Sequence, residues 1–388
     1  MRIIVFVLFL LAYAPARSAV IQVRIYTGTN VSSLSLAPAG AGYSLFADLV
    51  KRADIGSLKA VSLKAAGDSV WLKLGDSLLG KFASVTVSEN SPDSLRNGSL
   101  KLKINAQEKG QREYPGGIRV SAEKGLLKVI NVVDIEQYTR GVIKSEVGVS
   151  QSVEFYKVKA IIIRTYTLSN LRRHELEHFH LCDQTHCQVY RGKVTNENIV
   201  KGVAETKNQV LVDTAIMLVN ASFFSNCGGQ TCNSEDVWSK ALPYLRSGTD
   251  TFCTRQPSAY WQKKIPKSEW LKYFSDKHGY PVNDTAAVKA LLSFTQYQRK
   301  VYFTEQPVKI PLKVLRDDWK LRSTYFSVEV QGDMVVLKGR GFGHGVGLCQ
   351  EGAMAMAKKG YTAKDIIDHY YRDVTVIDLN KLEFFQEE

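Results

Sequence analysis

Near residue 134 the apolar residues of this chain stop recurring at every second position and begin to recur at helical spacing. That switch constrains the fold more than any other feature. Before it, the segments IQVRIYTG, SVWLKLG, FASVTV and SLKLKINA alternate apolar and polar residues between Gly, Ser, Asn and Asp punctuation. Such alternation puts one face of each segment in a core and the other in water, which predicts short strands joined by turns. The pattern continues over 112–133, with Tyr114-Pro115-Gly116-Gly117 as a turn and LLKVINVV as a buried strand. After the switch, Ile135, Tyr138, Val142 and Ile143 fall on one helical face, with Asp134 placed as N-cap and Gln137 three residues on. A second helix is predicted over 153–171, with Val158, Ile161, Ile162 and Tyr166 on its apolar side, and Glu146 falls in the break between the two.

The expected fold class is α+β: a strand-rich N-terminal region over 20–110, then a mixed core over 111–388 with a small helical insertion at roughly 262–300. Within that core, 195–207 reads as helix. QVLVDTAIMLVNASFFSNC reads as two strands turning at Asp213-Thr214, and 227–260 as a long loop rich in Gly, Ser and Asp. Residues 266–298 read as helix and 300–337 as strands, and a last helix opens at Thr362, where Asp365 completes a capping box.

Residues 1–19 combine Arg2, an apolar run over 3–12 and small residues at Ala14-Pro15-Ala16 and Ala16-Arg17-Ser18. This is the pattern of a secretory signal peptide, the alternative being an uncleaved anchor. With no later run apolar enough to span a bilayer, the mature chain is expected to be soluble in the periplasm or outside the cell. The net charge of +13 favours a polyanionic partner. The export signal favours an acidic cell wall over nucleic acid as that partner.

Four segments carry chemistry. In HELEHFHLCDQTHCQVY, Cys182, His186 and Cys187 fall within six positions, downstream of His174, His178 and His180. Thiolates and imidazoles are the preferred ligands of tetrahedral zinc, and a closed set would pin a loop that has no core of its own. A Cys182–Cys187 disulfide is the alternative outside the cytoplasm. His174, Glu175 and His178 also satisfy H-E-x-x-H, the pattern of a zinc hydrolase.

The second is Glu146, at the end of a largely apolar helix. A carboxyl there that faces a cleft would have a raised pKa and serve as a general acid. Pattern alone leaves it among the many solvated glutamates at helix ends. The third is GRGFGHGVG, residues 339–347, with glycine at every second position. It fits no dinucleotide loop and has no Walker lysine, so it predicts a strand closely approached by another strand or by a ligand, with His344 at its centre. The fourth runs from Phe224 to Leu245, where Ser225, Asn226, Gln230 and Thr231 with nearby aromatic residues suit sugar hydroxyls and ring faces.

In order, VINVVDIEQYTRGVIKSEVG, KVKAIIIRTYTL, CDQTHCQVYRG, FFSNCGGQT, EDVW, PYLRS, LRSTYFSVE, GRGFGHGVGLCQEGAMAMAKKG and DIIDHYYRDV resemble the blocks of the stage II sporulation protein D and amidase-enhancer family over about 112–376. The resemblance implies a lytic transglycosylase. Such an enzyme cuts the bond between N-acetylmuramic acid and N-acetylglucosamine in glycan strands stripped of their peptides and leaves 1,6-anhydro ends. It implies Glu146 as the acid. It also implies a structural zinc on Cys182, His186, Cys187 and one of the three upstream histidines, with His180 and His178 preferred. The substrate-binding residues expected from these blocks are Arg164, Tyr166, Ser225, Asn226, Gln230, His344 and Gln350, with Lys144 and Arg340 also candidates to line a basic cleft. Two rivals remain open at this point: a non-catalytic peptidoglycan-binding enhancer of an N-acetylmuramoyl-L-alanine amidase, and the zinc hydrolase. Among the remaining cysteines, Cys227–Cys349 or Cys227–Cys253 bridges are both open, and Glu351 is a possible second carboxyl beside the cleft.

Overall fold

The structure, a computed structural model, describes residues 19–40, 42–56, 59–90, 98–105 and 110–381. Apart from Ala19, the expected signal peptide lies outside the described residues. The described residues form two units, which divide between Glu136 and Gln137; the first also takes in Asp378 onward, and the second also takes in Arg24–Thr27.

The first unit is built from strands, as the alternation predicts. One sheet runs in the order Val20–Ile25, Leu126–Asp134, Gly117–Glu123, Ser84–Glu89, Tyr43–Ala47, Val50–Ile55. The other runs Arg112–Pro115, Ser99–Ile104, Ser33–Ala39, Val61–Ala66, Ser69–Leu74, Ser77–Phe82. The inner faces meet, with Leu34, Leu36, Leu63, Leu72 and Leu102 buried from one sheet and Leu45, Val85, Val87, Ile118 and Val120 from the other. Burying alternate residues of both sheets is what fixes the register of each strand.

The second unit begins within α1 (Ile135–Val147) and continues into α2 (Val153–Ser169). Asp134 Oδ1 accepts from Glu136 N at 2.8 Å, and Ser152 caps α2 by accepting from Phe155 N at 3.3 Å. The first helix runs one turn further than its pattern suggested. Glu146 therefore lies in the last turn of α1 and not in the break that follows. α2 is the buried centre of this unit; against it pack α3 (Glu197–Glu205), the strand Gln209–Val212 and two later helices.

The helix expected over 266–298 is two helices, α4 (Lys267–His278) and α5 (Thr285–Leu292). Gly279 ends α4 in the left-handed conformation (φ +59°), Pro281 follows, and Asp284 caps α5 by accepting from Ala287 N at 2.9 Å. The strands expected over 300–337 are interrupted by α6 (Leu312–Asp318), whose Leu312 and Leu315 are buried one helical turn apart. These three helices enclose a core of Trp270, Phe274, Leu291, Phe303, Leu315 and Phe326 over the antiparallel strands Tyr260–Pro266, Met334–Arg340 and Phe326–Gln331. The chain then forms α7 (Gln350–Lys358) and α8 (Ala363–Tyr370), and the expected capping box of Thr362 and Asp365 is present. Helices and strands are segregated in the way an α+β fold requires. Among the described residues no helix is long and apolar enough to cross a membrane.

Candidate functional site

Glu146 reaches its position because Gly141, five residues earlier on α1, has no side chain. A Cβ there would overlap the Tyr190 ring and sit 2.6 Å from Gly192 O. The missing methyl group lets segment 188–192 lie directly against α1. That approach brings Val189 N to within 3.3 Å of Glu146 Oε1, to which it donates. The other oxygen, Oε2, is buried and has no hydrogen-bond partner among the described residues. Its neighbour is the ammonium of Lys159 on α2, at 3.5 Å.

Lys159 is fully buried, and the Glu146 side chain is 14% exposed. Two further groups receive the ammonium: Gln350 Oε1 accepts from it at 3.2 Å, and it sits 3.1 Å from the centroid of the Phe223 ring. Burial pushes the Glu146 carboxyl above the usual carboxylate range, against the pull of the Lys159 charge and the Val189 N–H. Burial also pulls Lys159 down to about 8, with Glu146 opposing. One carboxyl of raised pKa, paired through one oxygen with a buried amine, is equipped to hold and return a proton.

The segment that supplies Val189 N–H is anchored by the Cys/His loop. Gln188 Oε1 accepts from Tyr138 Oη at 3.1 Å and from Thr167 Oγ1 at 3.0 Å, which ties the segment to both helices. The fully buried Asp183 accepts from Tyr26 N, Thr27 N and Arg191 Nη1 at 2.9, 3.1 and 2.9 Å. Between these anchors His174, Cys182, His186 and Cys187 converge, their ligand atoms all within 4.8 Å of one another. The separations are 3.8 Å for Cys182 Sγ to His186 Nδ1, 3.6 Å for Cys187 Sγ to His186 Nδ1 and 3.4 Å for Cys187 Sγ to His174 Nε2. A tetrahedral zinc with ordinary bond lengths holds sulfur and nitrogen ~3.6 Å apart. The residues fit that metal, and a two-thiolate, two-imidazole set leaves no open position.

The fourth ligand position is a correction: His174, and not His180, joins the set. Residues Glu175–Glu177 make a single tight turn and His178 is left-handed (φ +62°), which folds His174 back over the loop. Its ring stacks on Phe179 with centroids 4.5 Å apart. Its Nδ1 is held by Glu177 Oε1 at 2.6 Å, which presents Nε2 to Cys187. The same turn removes the zinc-hydrolase reading, because H-E-x-x-H needs both histidines on one face of a helix and His178 is exposed outside the cluster. None of the six cysteines is joined to another in the structure, so it contains neither the Cys182–Cys187 bridge nor a bridge at Cys227.

Several expected substrate-binding residues have their polar groups bonded within the chain. Arg164 is fully buried and donates to Gln209 O at 2.6 Å. Arg340 lies over Tyr325 and donates to Gln296 O at 2.7 Å. Asn226 is fully buried; its Nδ2 donates to Glu351 Oε2 at 2.6 Å and its Oδ1 accepts from Gly228 N at 2.7 Å. Gln230 accepts from Arg299 N at 2.9 Å and donates to Ser247 Oγ at 3.2 Å. Glu351 also accepts from Ser258 N at 3.2 Å, so this carboxylate is occupied with Asn226 and Ser258.

His344 is occupied at both nitrogens. Val346 N donates to Nδ1 at 3.1 Å, so Nε2 carries the proton and donates to Phe223 O at 3.1 Å. Burial draws its pKa down to about 4. Its one N–H is spent on fixing the backbone of Phe223. Gly341, Gly343, Gly345 and Gly347 all have positive φ, and the segment packed on them is 222–232 of the same chain. The glycine run is thus the closely approached backbone that its spacing predicts, although beyond Arg340, where its strand ends, it forms isolated bridges at Phe342 and Val346.

Gln350 stands in the Glu146 cluster and Lys144 is exposed in the last turn of α1. Tyr166 is half-buried with its Oη accepting from Arg173 at 2.8 Å, and Ser225 is half-buried, its carbonyl accepting from Glu351 N at 3.0 Å. Sequence reasoning missed Lys159, Val189 and Phe223. Lys159 had a signal: a lone cation inside the apolar run VKAIII has nowhere to go but a buried partner.

Comparison with known proteins bears out the resemblance. A family model described as "Stage II sporulation protein" matches residues 123–212, the segment that holds Glu146, Lys159 and the four Cys/His ligands. "Stage II sporulation protein D" of Bacillus subtilis (strain 168) is 29% identical over 265 residues, which is 63% of this chain and 74% of that protein. The protein of the same name from Bacillus amyloliquefaciens is also 29% identical over 265 residues, with the same coverage. A protein named "Amidase enhancer" from Bacillus subtilis (strain 168) is 28% identical over 290 residues, 61% of this chain and 40% of that protein.

Proposed function

We propose, from the similarity of residues 123–212 to the stage II sporulation proteins, that this chain is an exported, wall-directed enzyme. It cuts peptide-free peptidoglycan strands as a lytic transglycosylase. The observation that carries the chemistry is Glu146: one carboxyl, raised by burial, with Oε1 fixed by Val189 N–H and Oε2 facing the Lys159 ammonium at 3.5 Å, without a hydrogen-bond partner among the described residues.

The protonated carboxyl gives its proton to the oxygen that links N-acetylmuramic acid to N-acetylglucosamine. As that bond breaks, positive charge develops at C1, and the adjacent N-acetyl group supports it. Glu146, now a carboxylate beside the Lys159 ammonium, takes the proton of the C6 hydroxyl, whose oxygen closes on C1. No water is consumed and one carboxyl serves both steps, whereas hydrolysis through water employs two at a defined spacing. Glu351, the second carboxyl considered from sequence, is engaged by Asn226 and Ser258. A zinc on His174, Cys182, His186 and Cys187 would hold the loop that carries Val189 and take no part in bond cleavage. The excess of positive charge suits a strand whose lactyl carboxylates are exposed once its peptides are gone.

The test is Glu146→Gln on purified peptide-free glycan, with anhydro-ended products counted by mass spectrometry. Loss of a sole acid predicts a fall of at least ~100-fold with the fold unchanged. The similarity to a protein named amidase enhancer supports a second reading, stimulation of a partner amidase. Anhydro products from neither protein, with equal stimulation of an amidase by both, would establish that reading in place of the enzyme.

A further inference from the structure

A second cluster of ligand-type side chains lies outside the family-model match and takes no part in the scheme above. Cys227, Asp250, Cys253 and Cys349 come from three separate stretches of chain and bring three sulfur atoms and a carboxylate oxygen within 4.8 Å of one another. All four residues are buried, none more than 1% exposed. We propose that they form a closed structural zinc site with three thiolates and one carboxylate, distinct from the Cys/His site.

Backbone donors already converge on one of the sulfurs. Cys349 is the N-cap of α7, where its Sγ accepts from Gly352 N at 3.4 Å and also from Cys227 N at 3.3 Å. Backbone N–H groups at a helix start stabilise a thiolate. Asp250 is held with one oxygen facing the sulfurs: Oδ1 accepts from Phe252 N at 2.9 Å, while Oδ2 accepts from Tyr370 Oη at 2.9 Å and lies 3.3 Å from Cys227 Sγ. Gly352 has no room for a Cβ beside that oxygen and the tyrosine hydroxyl, so the packing is built around the carboxylate. Cys227 Sγ and Cys253 Sγ are 3.2 Å apart.

Two alternatives account for less. A disulfide uses two of the three sulfurs and leaves a thiol and a carboxylate buried together. Simple packing does not need Asp250, because a buried carboxylate without a compensating charge costs several kcal/mol. A divalent ion supplies that charge, and thiolate ligands select zinc over calcium or magnesium. Binding releases the three thiol protons to solvent, and four protein ligands leave no position for water or substrate. The site would staple the loop after Phe224, the 250–253 turn and the start of α7, and so hold Gln350 where it meets Lys159.

Metal analysis of the purified full chain tests this. Wild type is expected to hold two zinc ions per chain, Cys182→Ser one, Cys349→Ala one, and the double variant none. X-ray absorption on Cys182→Ser should show the remaining zinc bound by sulfur and oxygen only, a readout that stands even if Cys349→Ala does not fold. One zinc in wild type that Cys349→Ala leaves in place would overturn the proposal. So would an imidazole in the Cys182→Ser shell, a different metal at the second site, or an unreduced, unfolded chain lighter by the two hydrogens of a Cys227 bridge.

Discussion

Replacing Lys159 by methionine tests whether Glu146 faces a desolvated ammonium. Lys159 has no exposed surface, and burial brings its pKa from 10.5 to about 8 in the folded chain. Between those values the unfolded chain holds a proton that the folded chain has released, so stability rises with pH across the window. For one group with these two values, the folded state gains ~2 kcal/mol between pH 7 and pH 9.5. Methionine fills a similar volume and does not titrate, so this gain is absent in Lys159→Met. A Glu146 carboxyl left without its cation has its pKa raised further. A raised carboxyl loses stability as pH rises, which widens the difference in the same sense. The assay is urea unfolding of both proteins at pH 7 and pH 9.5, read as a double difference so that other titrating groups cancel. Wild type should gain at least ~2 kcal/mol relative to the variant. A difference independent of pH would refute the picture of a buried charged pair, and with it the stated cause of the Glu146 shift.

The remaining expectations concern single side chains. His174→Ala should lose the zinc of the Cys/His loop while His180→Ala keeps it, as read by metal analysis; the reverse would restore the ligand set expected from the family resemblance. Gly141→Ala drives a methyl group into Tyr190 and the Gly192 carbonyl, so it should cost ~1–3 kcal/mol in thermal or urea unfolding. An unchanged midpoint would mean that the contact between α1 and segment 188–192 is looser than described. His344 takes its proton near pH 6.5 when unfolded and only near 4 when folded, so its contribution to stability is lost as pH falls through that window, by up to ~3 kcal/mol. The stability gap between wild type and His344→Gln should therefore narrow on acidification, and a constant gap would contradict the neutral, doubly bonded imidazole.

The period of the apolar residues determined most of the architecture. Alternation before residue 134 specified the strands of the first unit, and helical spacing after it specified α1 and α2, because each period buries one face. Local chemistry was equally legible: the capping box at Thr362, the close approach to the glycine run, and the attraction of Cys182, His186 and Cys187 to a common point. What sequence could not supply was direction and partnership. Arg164, Asn226 and Gln230 have side chains suited to a sugar, yet each is consumed by a backbone or side-chain partner that only folding brings near. His174 displaced His180 because a tight turn and a left-handed residue reverse the chain, and no periodicity encodes that reversal. Lys159 meets Glu146, and Asp250 meets Cys227 and Cys349, through contacts between separate elements of the chain. Long-range contacts of this kind come from packing whole elements together, so tertiary structure alone decided which titratable groups share a buried space.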